Sequence, residues 1–177
     1  MCREFDPRER AAEAARLLSY FLLDLIVGTR GLEIFEAPVI APKVTHHMAV
    51  ALNRMAVSHL VVTLAKWTEF YRRYASILPV DVRDACRELN ASIEARGVID
   101  FRTAVVGHIL DDATKRPLTS REVDERLNRI MAGERADFFR WINDVSGNVH
   151  PGSVVALTER VRDRLRVEYE LRDEEIL

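Results

Sequence analysis

Apolar residues recur every three to four positions along most of this chain, the spacing that places them on one face of an α-helix. The first such stretch covers Arg8 to Val27. The glycines of Gly28-Thr-Arg-Gly31 predict its end, because glycine readily adopts the left-handed conformation of a helix C-cap. A loop is predicted over Leu32 to Pro42, where two prolines interrupt the pattern.

The longest stretch runs from Thr45 to Tyr74 and predicts a rod of about 45 Å, since each helical residue adds about 1.5 Å. A helix of that length needs several packing partners, or a second subunit. Two further helices are predicted over Val80 to Arg96 and Val98 to Asp112, separated by Gly97.

Thr119-Ser-Arg-Glu122 has the Ser/Thr-x-x-Glu form of a capping box, which predicts the start of another helix. The apolar period behind it continues to Val145, with Gly133 as a bend inside the helix. Ser153 is predicted to cap a final helix, and the acidic tail over residues 168–177 is expected to fray. No segment alternates strictly between apolar and polar residues, as half-buried strands do. We therefore predict an all-α fold, an up-and-down bundle of five to six helices, in a single domain over residues 1–177.

Composition narrows the class of protein. The chain is 48% hydrophobic and 31% charged, as in soluble globular proteins, and its net charge of −2 provides no overall basic field for nucleic acid. Cys2 and Cys86 belong to no metal or disulfide motif, which favours reduced thiols. The N-terminus lacks the pattern of a secretory signal. The apolar run from Leu17 to Val27 is interrupted by Asp24 and is short for a membrane span. We expect a cytoplasmic protein without a membrane segment.

The most compact candidate site lies between Phe101 and Asp112. Arg102 and His108 stand there in an apolar run that leads into a polar loop. A guanidinium beside an imidazole suits phosphodiester chemistry, since the first can hold a phosphate and the second can transfer a proton. On an ideal helix these two side chains point about 120° apart. Either Gly107 permits a local distortion, or two copies of the segment meet across a two-fold axis and form one composite cleft, which requires a homodimer.

Other histidines favour simpler interpretations. Arg54 and His59 form a similar pair, but His59 lies on an apolar helix stripe, where a buried, hydrogen-bonded core histidine is the preferred interpretation. His46-His47 is interpreted as a solvated helix start. The chain contains no HExxH, and no glutamate stands three residues before a histidine, so no metal or cofactor site is predicted. The aromatic residues from Trp67 to Tyr74 are predicted to be core or dimer contacts.

The pattern Phe-Arg-x-x-Val-Val-Gly-His-Ile-x-Asp, followed by Lys-Arg-Pro-Leu-Thr, resembles the Arg-x(4–6)-His signature of the HEPN superfamily. The resemblance covers Phe101 to Ser120 and is closest to the abortive-infection group of small helical HEPN proteins. It implies a HEPN-like helical bundle that acts as a homodimer and a metal-independent endoribonuclease, often a toxin or a phage-defence effector. The partners it implies are RNA, a second copy of the chain, and an antitoxin or regulatory protein.

The same resemblance assigns roles to individual residues. Arg102 would hold the scissile phosphate and stabilise its growing charge, and His108 would act as general base or acid. Asp111 would orient His108. Lys115 and Arg116 would contact the RNA backbone.

One position departs from the superfamily pattern. The residue after the motif arginine is commonly Asn, Asp or His, whereas Thr103 stands here and can still donate a hydrogen bond. The alternative interpretation is a non-catalytic HEPN-like module for dimerisation, nucleotide binding or partner binding. In such a module Arg102 would pair with a carboxylate of a neighbouring helix, and His108 would cap its own helix.

Overall fold

The computed structural model describes residues 6–36, 45–107, 115–143 and 152–176, and these parts of the chain are helices joined by short connections, without a β-strand. The α-helices are α1 (Pro7–Glu36), α2 (His46–Tyr74), α3 (Val80–Ala95), α4 (Val98–Phe101), α5 (Ser120–Met131), α6 (Arg135–Ile142), α7 (Val154–Glu168) and α8 (Asp173–Ile176). A 3₁₀ turn, Ala75–Ile77, follows α2, and a π-helical segment, Arg102–Gly107, continues α4. The all-α prediction is confirmed. The described residues contain eight α-helices where five to six were predicted, because two of them have only four residues.

The core is centred on α1, which packs against both α2 and α7. Alanines on the buried face of α1 allow its backbone to approach these neighbours closely. The aromatic residues of α2 fill the space beside it: Trp67, Phe70 and Tyr74 are buried, which confirms their predicted place in the core. The indole Nε1 of Trp67 donates a hydrogen bond of 2.9 Å to the Thr158 hydroxyl, so a buried polar contact also links α2 to α7.

Helix α1 does not end at its glycines as predicted. It continues through Gly28 and Gly31 to Glu36, while residues 37–42 of the predicted loop lie outside the described residues. Gly28 serves a different purpose, since a Cβ atom there would stand 2.6 Å from Cδ2 and 2.9 Å from Cγ of Leu60. The missing side chain allows α1 and α2 to approach closely.

The predicted single helix behind the capping box is two helices. The capping box itself is confirmed, with reciprocal hydrogen bonds between Thr119 and Glu122. Helix α5 then ends at Met131, where Ala132 adopts a left-handed conformation (φ 53°) and Gly133 follows with φ 113°. Gly133 therefore lies in a helix-breaking turn, not at a bend, because this region of φ strongly favours glycine.

The prediction of a frayed tail is also wrong. Leu171 and Ile176 are buried, and α8 packs against α1. On the surface above this contact, Arg8 donates two hydrogen bonds of 2.8 Å to the two carboxylate oxygens of Glu175. The apolar pair and the charged pair together hold the tail on the first helix.

The contact between Arg8 and Glu175 makes the free energy of unfolding depend on pH in the acid range. The hydrogen bonds from Arg8 lower the pKa of Glu175 from 4.5 to about 2, so this group stabilises the folded protein above pH 4.5 and loses that contribution as the pH falls towards 2. We expect wild type to be more stable than Glu175→Gln at pH 6, and the difference to shrink to nothing near pH 2. Urea unfolding of both proteins across this range measures it. A difference that does not change with pH would contradict the role of the carboxylate.

Among the residues that the structure describes, one stretch of helix, His46–Ile77, is long and apolar enough by length and composition to cross a membrane. Core helices of water-soluble proteins meet the same criterion. This stretch contributes Trp67, Phe70 and Tyr74 to the core, whereas its Met48 and Met55 are exposed.

Candidate functional site

The predicted Arg–His segment begins at the end of α4. Phe101 is buried and fixes this end in the core, and the chain then continues as the π-helical segment. In a π-helix the backbone hydrogen bonds join residues five apart instead of four, and such distortions frequently occur at functional sites. The backbone from Arg102 to Gly107 is therefore distorted, while the convergence of Arg102 and His108, by such a distortion or across a homodimer, stays a prediction. His108 and Asp111 lie outside the described residues.

Arg102 lies on the surface beside α2. Its Nη1 is 3.4 Å from Oε1 of Glu69, and the two side chains are 46% and 59% exposed. This distance exceeds the usual 2.7–3.2 Å, roughly, of an N–H···O hydrogen bond, and exposed ion pairs contribute at most about 1 kcal/mol. The Arg102 guanidinium is consequently accessible and, within the part of the chain that the structure describes, held loosely by the Glu69 carboxylate. Thr103, the next residue, is half-buried.

The two basic residues after the motif, Lys115 and Arg116, precede α5. Arg116 donates hydrogen bonds of 2.9 and 2.6 Å to the two carboxylate oxygens of Glu122, which also accepts from Thr119. The bonds from Arg116 and then those from Thr119 lower the pKa of Glu122 to about 2. Lys115 is exposed and has a left-handed backbone (φ 54°). The guanidinium of Arg116 is thus tied to the capping box of α5.

A second polar group, which the sequence analysis missed, lies between α1 and α2. Its centre is Asp24, with His59, Thr63 and Lys66 around it, and we call these four residues the Asp24 cluster. His59 Nε2 is 3.2 Å from the Asp24 carbonyl oxygen and 3.6 Å from Oδ1, while Lys66 Nζ is 3.6 Å from Oδ2. The Thr63 hydroxyl lies 3.5 Å from the same Oδ2.

His59 corrects one prediction. Its hydrogen bond was expected, but its side chain is 44% exposed, so it is not a buried core histidine. A signal for the cluster is present in the sequence: His59, Thr63 and Lys66 follow at intervals of four and three residues, the spacing of one helix face. Asp24 is the single charge in the apolar run of α1.

The cluster and Arg102 are neighbours on the surface. Lys66 and Glu69 are three residues apart on α2, and residues at that spacing lie side by side on a helix. Lys66 contacts Asp24 of α1, whereas Glu69 contacts Arg102 of the π-helical segment. A line of charged side chains therefore crosses α2 from His59 to Arg102.

A groove of about 680 Å³ lies elsewhere, between α3, α6 and α7. Trp141 provides an aromatic wall, and residues of both charge signs, such as Glu88 and Arg160, stand around it. Neither Arg102 nor any residue of the Asp24 cluster lines this groove. The groove is therefore separate from Arg102 and from the Asp24 cluster.

A solved structure shares this fold. The integron cassette protein Vpc_cass2, from the mobile metagenome of V. paracholerae, is similar with a TM-score of 0.66 and 22% sequence identity, over 88% of this chain and 95% of that one. At this identity the similarity concerns the fold alone. No protein-family model and no curated protein matches the chain.

Proposed function

We propose that this protein is a metal-independent endoribonuclease of the HEPN type, a cytoplasmic toxin or phage-defence effector whose site is centred on Arg102 and His108. The observation that carries the proposal is the state of Arg102. Its guanidinium is exposed at the start of a π-helical segment, and among the described residues it is held at 3.4 Å by the exposed carboxylate of Glu69. A phosphate can replace Glu69 at little cost, since both groups are already solvated.

In the proposed reaction Arg102 binds the scissile phosphate and stabilises the charge that develops on its oxygens. His108 removes the proton from the 2′-hydroxyl or supplies one to the leaving 5′-oxygen. The 2′-oxygen forms a bond to phosphorus as the bond from phosphorus to the 5′-oxygen breaks, which leaves a 2′,3′-cyclic phosphate and a 5′-hydroxyl. Thr103 and Asp111 support Arg102 and His108 in these roles.

The proposal includes a homodimer. Helix α1 is apolar on both faces, although only one of them packs against α2 and α7. The outward face of its middle exposes Tyr20, Leu23 and Val27 by 52%, 61% and 56%. Exposed apolar patches with a charged rim mark interaction surfaces, and Arg16 and Arg30 stand at the rim of this one. A second copy that packs its own α1 here would cover both patches in one symmetric contact.

The dimer is tested by placing charge on this face. Leu23→Glu and Val27→Glu each put a carboxylate at the centre of the contact, so we expect both variants to be monomers while wild type is a dimer. Val80→Glu is the matched control, because Val80 is 81% exposed at the start of α3, away from the patch. Light scattering after gel filtration gives the masses. A monomeric wild type, or variants that remain dimers, would contradict the proposal that this face of α1 forms the dimer contact.

Cleavage of RNA in EDTA tests the function. We expect wild type to cut single-stranded RNA and both Arg102→Ala and His108→Ala to lose at least about 100-fold in rate, since single groups of this kind contribute that much. Arg87→Ala is the control, because Arg87 is also exposed and pairs with a carboxylate at 3.0 Å, but lies on α3. Equal cleavage by all proteins would place the activity elsewhere or in a contaminant.

A non-catalytic module is the second candidate. The contact between Arg102 and Glu69 also favours this candidate, because a non-catalytic module is expected to pair Arg102 with a carboxylate of a neighbouring helix. An absence of cleavage by wild type on varied RNAs would support this candidate. An antitoxin or regulatory protein would be a further partner under either one.

A further inference from the structure

The groove between α3, α6 and α7 has an apolar floor that the described part of the chain leaves partly open. Its lining residues recur every three to four positions on both α3 and α7, so each helix turns one face to the groove. The apolar residues of the floor are the buried Leu89 and three half-buried ones: Ala85, Ala156 and Leu157. The floor therefore consists of small and apolar side chains, most of which still meet solvent.

The shape of the groove suits a third helix. Arg160 and Arg164 of α7 both contact Asp81 at the start of α3, which holds the two helices side by side. From Ala85 to Ser92 the α3 side of the groove runs for about 10 Å, which is two helical turns. Both of these residues are small, so the backbone of another helix can approach the floor. An amphipathic helix that lays its apolar face into such a groove is a recurring mode of recognition.

Trp141 of α6 forms the aromatic wall of the groove, and its ring is held in place. The Arg96 guanidinium lies 4.1 Å from the ring centroid, and Arg96 donates a hydrogen bond of 2.8 Å to the Ile130 carbonyl oxygen. The ring of the buried Phe138 lies beside it, with 6.0 Å between the two centroids. A half-buried tryptophan that is already ordered loses little freedom on binding, and tryptophan often dominates the binding energy of an interface. Trp141 is therefore a preorganised contact for an apolar side chain.

The charges around the floor are mainly acidic. Three exposed carboxylates line the groove on its two sides: Glu88, Glu159 and Asp163. The two lining arginines lie against the Asp81 carboxylate, which offsets part of their charge. The Nη2 atom of Arg162 lies 3.7 Å from a carboxylate oxygen of Glu159 and 2.8 Å from one of Asp163. The Glu88 carboxylate has no ion pair or hydrogen bond within the described part of the chain, so a lysine or arginine of the occupant would complement it.

We propose that the groove between α3, α6 and α7 binds a basic amphipathic α-helix of a partner protein. The apolar face of that helix packs on Leu89, Leu157 and Trp141, and a lysine or arginine beside this face pairs with Glu88. An acidic helix would instead bring like charges together at Glu88. Neither Arg102 nor any residue of α1 lines the groove. The partner helix can therefore bind whether or not the protein cleaves RNA or forms a dimer through α1.

A fluorescently labelled peptide of about 14 residues, with leucine at the helical period and lysine elsewhere, tests the proposal on the full chain. We expect saturable binding by fluorescence polarisation, and at least about tenfold weaker binding to Glu88→Lys and to Trp141→Ala, since a central aromatic residue and its charged neighbour dominate such contacts. Asp84→Lys is the matched control, because it makes the same charge change at an exposed carboxylate of α3 that does not line the groove. Circular dichroism checks that each variant is folded. No binding by wild type, or equal weakening by Glu88→Lys and Asp84→Lys, would overturn the proposal.

Tryptophan fluorescence with the unlabelled peptide shows whether it lies in the groove. The chain has two tryptophans, and Trp67 has no exposed surface, so a change in emission reports on Trp141. We expect the peptide to shift the emission of wild type to shorter wavelength, and to leave that of Trp141→Phe unchanged. The same peptide with glutamate in place of lysine should bind at least about tenfold more weakly. Binding without a shift in wild type, or equal binding of the two peptides, would overturn the proposal.

Discussion

We expect Trp67→Ala to lower the free energy of unfolding by about 3–5 kcal/mol, the range for a large aromatic residue removed from a packed core. Trp67 has no exposed surface. The centroid of its ring is 5.7 Å from that of the Phe70 ring and 6.4 Å from that of the Tyr71 ring. The substitution leaves a cavity at the junction of α1, α2 and α7. It also removes the only indole donor to the buried Thr158 hydroxyl among the described residues. Urea unfolding followed by circular dichroism measures the change.

Two variants separate the cavity from the hydrogen bond. Thr158→Val keeps the shape of the side chain but leaves the Trp67 N–H buried without an acceptor, which should cost about 1–3 kcal/mol. Trp141→Ala is the matched control for size, because Trp141 is half-buried, with the Arg96 guanidinium 4.1 Å over its ring. Its effect should be clearly smaller than that of Trp67→Ala. Equal losses of unfolding free energy in Trp67→Ala and Trp141→Ala would contradict the deeper burial of Trp67.

The second large effect is expected at the close approach of α1 to α2. Gly28→Ala would bring a methyl group within 2.9 Å of Cγ of the fully buried Leu60, so the two helices must separate, at a cost of about 1–3 kcal/mol. Gly31→Ala, on the same helix, meets nothing within 4 Å and should instead stabilise by about 0.4–1 kcal/mol through the unfolded chain.

Opposite signs at Gly28 and Gly31 are the distinguishing result, and thermal unfolding of the two variants provides it. If both substitutions stabilise the protein, the helix is ordinary at both positions and α1 does not depend on Gly28 to reach α2. If both destabilise it, the glycines serve the end of a helix, as the sequence pattern alone suggested.

The helical elements could be predicted because each buries one face, and a buried face leaves a period of three to four residues in the sequence. Helix ends were less predictable, since glycine has more than one use. At Gly133 it provides a backbone conformation that other residues avoid, and at Gly28 it provides space for Leu60. Only the first use ends a helix, and the linear sequence does not distinguish them.

The candidate site could be predicted only in part. The sequence predicts a helix at Arg102, whereas the contact of Arg102 with Glu69 depends on the packing of α4 and the π-helical segment against α2, which the sequence does not specify. The Asp24 cluster depends on a pairing between residues 35 positions apart. Because α1 is apolar on both faces, its sequence does not say which face α2 covers, so the surroundings of His59 could not be derived.

The packing of α1 has a consequence for synthesis of the protein on the ribosome. This helix is made before one of its main partners, α7, which begins at Val154, and the hydrogen bonds from Arg8 to Glu175 span 167 positions. Until those residues emerge, α1 can pair with α2 while the face that will meet α7 remains in water. Contacts between distant parts of a chain form slowly, and uncovered apolar surface favours association with other chains. The packing of α1 against α7 must therefore wait until the residues beyond Val154 have been synthesised.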